Sequence, residues 1–144
     1  MCSDHTDIRP TTLVLLRLRD DYDHEGRALV EVLYNWAIPD GVKDSGDEFT
    51  ELARAFKRIN APVRDLGLTS LRVSTTALEG NTSTYNQPEN DLASVTSMRD
   101  ALANQLSGML EDAKFHGQRI SKRGERILDS AADRLLDYVH RLAH

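Results

Sequence analysis

The residues best equipped for chemistry in this sequence fall into an acidic group and a basic group, far apart in the chain. The acidic group is Asp20-Asp21-Tyr22-Asp23-His24-Glu25, the densest run of potential ligands. On a helix Asp20 shares a face with Asp23 and His24, a spacing that can clamp a metal ion. A metal site in a helical bundle, however, normally draws on carboxylates and Glu-x-x-His pairs from several helices. No Glu-x-x-His occurs in this sequence. The run therefore reads as a solvated acidic face, and no metal is assigned to it.

The basic group is Lys114, Arg119, Lys122, Arg123 and Arg126, opposed within that stretch only by Glu125. On an otherwise acidic chain such a patch can hold phosphate groups or an acidic partner. Helical spacing spreads these cations round more than one face, and no aromatics interleave to stack bases, which argues against nucleic acid. Neutralising the chain's own acidic run is their simplest use. His24, Glu25, Lys114, Arg119, Lys122, Arg123 and Arg126 are thus the candidates for a ligand or partner site.

Signatures of catalysis are missing: there is no Gly-x-Ser-x-Gly, Walker A, Rossmann glycine pattern or His-Glu-x-x-His. Cys2 is the only cysteine, which excludes an internal disulfide and a cysteine-built zinc site. His140 and His144 stand four apart but at the end of the chain, and read as an accidental surface pair. His116 borders an apolar stripe and reads as structural. No catalytic residue and no cofactor is assigned.

At 144 residues, with 40% hydrophobic and 28% charged residues, the chain reads as one globular domain, 1–144. The net charge of −5 argues against coating nucleic acid or an anionic membrane. The start, Met1 to Asp7, lacks the basic head of a signal peptide. Leu13 to Leu18 is too short to span a bilayer and is interrupted by Arg17. No membrane association is expected, and a soluble cytoplasmic location is.

The elements that must position these groups are helical by periodicity. From Pro88 to Leu142 apolar residues recur in steps of three and four: Leu92, Val95, Leu102, Leu106, Met109, Ala113, Ile120, Ile127, Ala131, Leu135, Tyr138 and Leu142. This region is one very long helix, or two with a break at Phe115-His116-Gly117. Gly108, Gly117 and Gly124 each cost about 0.8–1 kcal/mol in a helix interior. Gly117, Gly124 and Ala131 recur every seven residues, so in an unbroken helix they form a small-residue lane where another helix can approach. They are the candidates for an oligomer interface.

Residues 1–9 read as a flexible arm. Pro10 to Trp36 reads as a helix with a seam of Leu15, Leu18, Tyr22, Glu25, Leu29, Val32 and Trp36, in which Glu25 is the single polar member. A strand over Thr11–Arg19 competes with that reading. Ile38-Pro39-Asp40-Gly41 is a stop. Ser45-Gly46-Asp47-Glu48 matches a capping box that opens a helix with Phe49, Leu52, Ala53, Phe56 and Ile59 on one face. A weaker helix is expected from Val63 to Leu78, then a loop over residues 80–90.

The expected fold is all-α, an antiparallel bundle of four or five helices with a long C-terminal helical region that meets the N-terminal helix along the main seam. That region carries more apolar length than the other helices can cover. The expected function is therefore a non-catalytic interaction protein, a regulatory or adaptor subunit that pairs with itself as a homodimer or with another helical protein. The alternative is an enzyme or small-ligand-binding bundle with a polar site between the Asp20–Glu25 run and the basic 114–126 segment.

Overall fold

The computed structural model describes residues 4–19, 21–60 and 86–142, together with positions 67, 71 and 75. Most of Val63–Leu78, and residues 80–85 of the expected loop, lie outside the described residues. The protein is an all-α antiparallel bundle, and no strand occurs among the described residues. Its α-helices there are α1 (Ile8–Leu16), α2 (Asp40–Ser45), α3 (Asp47–Asn60), α4 (Asn86–Phe115) and α5 (Lys122–Leu142). Short 3-10 turns occupy His5–Asp7, Val30–Val32 and Asn35–Ala37.

The bundle is built around α3. Its apolar residues recur every three or four positions, and Phe49, Leu52, Ala53, Ala55, Phe56 and Ile59 are all buried. They pack against Val95, Leu102, Leu106, Leu110 and Ala113 of α4 and against Leu128, Ala132, Leu135, Leu136 and Val139 of α5. The main seam therefore runs through α3, not through the N-terminal helix.

The long C-terminal region is two helices. Gly117 adopts φ +67, and the His116 and Gln118 amides both donate to the Asp112 carbonyl, at 3.0 and 3.1 Å. A glycine in the left-handed region with amides folded back is the usual way a helix is closed. The short 116–121 connection makes α4 and α5 an antiparallel pair. It also resets the helical phase. Ile127, expected in the stripe, is exposed, and Leu128 is buried in its place.

The helix expected from Pro10 to Trp36 ends instead at Leu16. Arg17 adopts φ 54, and the Arg17 and Leu18 amides turn back to the Val14 and Leu13 carbonyls. The proposed seam does not form: Leu15, Leu18, Tyr22, Glu25, Val32 and Trp36 are all exposed. A strand over Thr11–Arg19 does not form either. Two causes act together. The run of aspartates with Gly26 is poor in helix formers, and side chains offer its backbone other partners. The Arg27 amide donates to the Asp7 carboxylate at 2.9 Å, and the Leu29 amide to the Thr11 hydroxyl at 2.9 Å. Gly26 lies so close to the first turn that a Cβ there would stand 2.2 Å from the Thr6 carbonyl oxygen.

Residues 4–9, expected in a loose arm, are part of the packed structure. Asp4 accepts from the Thr6 amide and Asp7 from the Asp4 amide, closing the 3-10 turn. Asp7 is fully buried and accepts from Lys57 Nζ at 2.6 Å, while the same ammonium lies 2.9 Å from Asp4 Oδ2. This ion cluster ties the start of the chain to α3.

The expected stop at Pro39–Gly41 opens α2 instead. Ser45 does not cap α3: its buried hydroxyl donates to the Gly41 carbonyl at 2.6 Å and accepts from the Ile120 amide at 2.8 Å. Gly46, at φ 59, turns the chain from α2 into α3. Residues 86–90 of the expected loop are the first turn of α4.

Candidate functional site: a cleft beneath the 18–28 segment

Because α1 stops early, the chain from Leu18 to Ala28 crosses the bundle as an irregular strap. Several contacts among the described residues hold it. Arg19 Nε lies 3.6 Å from Glu111 Oε2, Asn60 Nδ2 donates to the His24 carbonyl at 3.2 Å, and the Arg27 amide is held by Asp7. Between this strap and helices α3 and α4 lies a cleft of about 640 Å³.

Each wall follows from a sequence pattern. Arg99, Asp100, Ala103, Asn104, Ser107, Leu110, Glu111 and Lys114 recur every three or four residues, so they share one face of α4. Phe49, Ala53, Phe56 and Asn60 do the same on α3 and supply an apolar floor. Pro10 and Leu13 close the α1 side, and Phe115 the end of α4.

Its charges are mostly engaged with one another. Lys114 pairs with Glu111, one turn away on α4, and its ammonium stands 5.4 Å from the centre of the Phe115 ring. Arg99 pairs with its neighbour Asp100, with Nη2 at 2.5 Å. Arg27, buried on the strap, makes two hydrogen bonds to the Glu31 carboxylate, at 3.1 and 2.5 Å. Burial opposes ionisation of Glu31, but those hydrogen bonds outweigh it and hold the carboxyl below its ordinary range. Tyr22 meets the His24 ring edge-on at 5.4 Å, and Arg9 lies over its face at 4.8 Å.

Among the residues singled out from sequence, the structure brings Asp21, Tyr22, Asp23 and His24 of the acidic run and Lys114 of the basic group to this one cleft. Glu25, on the same strap, points into solvent and does not line it. Arg119, Lys122, Arg123 and Arg126 lie around the α4–α5 turn and the start of α5, away from the lining. Among the described residues they make no ion pair with the acidic run. Asp20 lies outside the described residues.

The small-residue lane is not a lane. Gly117 sits in the inter-helix turn, and Ala131 is half-buried beside the core. Gly124 lies against Met109 of α4, where an added Cβ would stand 3.1 Å from the methionine methyl carbon. Arg19, Arg99, Glu111 and the Phe49–Asn60 face were missed as site residues. The three-four spacing of Arg99, Ala103, Ser107, Leu110 and Lys114 is in the sequence, but only the strap's path shows that it faces a cleft.

A second surface feature stands out. Eight of the eleven large apolar side chains exposed among the described residues lie between positions 8 and 36, including Ile8, Leu16, Tyr34 and Trp36. Among the described residues no helix is long and apolar enough to cross a membrane. Comparison of the chain with protein-family models, curated proteins and solved structures gave no match.

Proposed function

We propose that this protein is a small-ligand-binding helical bundle, with the cleft between the 18–28 strap and helices α3 and α4 as its binding site. The observation that carries this reading is the cleft itself: about 640 Å³, floored by phenylalanine and alanine and edged by charged and amide side chains. That size and that mixture suit a drug-sized molecule held by its apolar body and oriented by a few polar contacts. Binding is favoured over catalysis because the acids and bases on the α4 wall, Arg99 with Asp100 and Glu111 with Lys114, are tied to one another in ion pairs rather than poised as proton donor and acceptor.

The test is a thermal-shift and titration screen with small aromatic acids, alcohols and amines. One molecule is expected to bind per chain, and Ser107→Trp, which projects an indole from the α4 wall, should abolish binding without lowering the melting temperature of the free protein. If no member of any class binds, the reading fails.

A second reading keeps the expected regulatory or adaptor role. It is favoured by the concentration of exposed apolar residues between Ile8 and Trp36, since clustered apolar exposure marks contact surfaces. In that case the docking face for a second copy or a helical partner is N-terminal, rather than the Gly117–Gly124–Ala131 line.

A further inference from the structure

The lining of the cleft carries both signs of charge, but they are not equally deep. Its carboxylates Asp21, Asp23 and Asp100 are exposed at the rim. Lys114, by contrast, has a side chain only 12% exposed, and Glu111 is the one half-buried carboxylate of the lining among the described residues. Glu111 serves two cations at once: Lys114 on Oε1 and Arg19 on Oε2. One carboxylate against two cations leaves a surplus of one positive charge at that point. Arg27 does not add to it, because Glu31 neutralises it.

Arg19 is the weaker partner. Its closest approach to Glu111 is Nε, at 3.6 Å, and its side chain is 61% exposed. Its guanidinium makes no hydrogen bond among the described residues. A guanidinium fork with donors to spare, beside a half-buried ammonium, is the arrangement that takes a carboxylate in two parallel hydrogen bonds. Exposed rim aspartates are screened by water and oppose this weakly, whereas the part-buried Lys114 ammonium acts through a lower dielectric.

Resting on the cleft being a binding site, we propose that its ligand is an organic monocarboxylate with an apolar, ring-sized body. The carboxylate binds between Arg19 and Lys114, and the body lies against Phe56, Leu13 and Phe115. A single surplus charge favours a monoanion over a dianion, and the apolar floor distinguishes the ligand from a free inorganic anion.

The experiment is isothermal titration of the full chain with phenylacetate, 2-phenylethanol, phenethylamine and phenyl phosphate. These share a ring and differ in the charge of the head. Phenylacetate should bind at least about tenfold more tightly than the alcohol or the amine, the ratio expected for a charge-assisted hydrogen bond. It should also exceed the phosphate. Arg19→Gln changes an exposed side chain and should leave the melting temperature in place. It should lower phenylacetate affinity about tenfold while leaving 2-phenylethanol unchanged. Binding of the alcohol or amine as tight as the acid overturns the proposal and leaves the cleft as a binding site. So does a preference for the acid that survives Arg19→Gln. Failure of all four probes, with Ser107→Trp indistinguishable from the unaltered chain, overturns both.

Discussion

Asp7 shows how one side chain sets the course of a whole segment. Fully buried, it accepts from the Lys57 ammonium, the Arg27 amide and the Asp4 amide. Its removal leaves the buried Lys57 ammonium with the more exposed Asp4 carboxylate alone and frees the strap that roofs the cleft. Asp7→Ala is expected to destabilise the protein by about 3–5 kcal/mol, the cost of breaking one side of a buried pair, measured by urea unfolding. An effect within about 0.5 kcal/mol would show that Asp7 is not buried in solution. The pH dependence follows from its neighbours. Hydrogen bonds from the Thr6 hydroxyl and Lys57 hold the Asp4 carboxyl well below the usual carboxylate range, and Arg27 holds Glu31 below it against the effect of burial. Both are more acidic folded than unfolded, so as pH falls the unfolded chain takes up protons first. Stability is therefore full at neutral pH and is lost progressively as pH descends from about 4 toward the lowered folded values. Melting temperatures measured from neutral pH downward should fall over that window, and less steeply in Asp4→Asn.

At the scale of elements, three glycines separate three physical roles. Gly41, in α2, packs against the end of α4: a Cβ there would stand 2.5 Å from the Ala113 carbonyl oxygen and 2.9 Å from Gly117 Cα. Backbone atoms cannot move aside as a flexible side chain can, so Gly41→Ala should cost about 1–3 kcal/mol through displacement of α2. Gly117 has open space round it but sits at φ +67, so Gly117→Ala should cost about 1–2 kcal/mol from backbone strain alone. Gly108 lies inside α4 with nothing within 4 Å of a Cβ, and Gly108→Ala should stabilise by about 0.8–1 kcal/mol. Chemical denaturation of the three variants checks the set. A stabilising Gly117→Ala would mean that α4 and α5 are one continuous helix. The pairing of Arg58 on α3 with Asp129 and Asp133 on α5, at 2.6 and 2.7 Å, fixes their register across a surface seam.

For the whole molecule, the apolar side chains left outside the bundle raise the question of what covers them. If the N-terminal face docks a second copy, the chain should sediment above its 16.2 kDa monomer mass at tens of micromolar. Trp36→Glu, which alters an exposed side chain, should then return it to monomer with the fold intact. Sedimentation as a monomer at every concentration removes the homodimer and leaves a different partner as the only form of that reading. Small-ligand binding in the cleft is independent of this result, since Trp36 does not line it.

The sequence by itself determined the all-α class, the amphipathic α3 and the helical character of the C-terminal region. Those signals are local: three-four spacing survives because a helix satisfies its own backbone and leaves one stripe to bury. The break at His116–Gly117 was legible as one of two options, because glycine both breaks helices and lets them pack closely. The course of residues 17–36 was decided only by tertiary structure. Its apparent heptad, with Glu25 inside, is a pattern the chain does not use. Asp7 and Thr11 capture the Arg27 and Leu29 amides, and Gly26 closes onto Thr6. The cleft, too, exists only because that segment leaves the helix. His24 and Lys114 are ninety residues apart in the chain, and no periodicity relates them. Long-range hydrogen bonds between a buried carboxylate and a loop amide leave no repeating trace in a sequence, and here they decide where the site is.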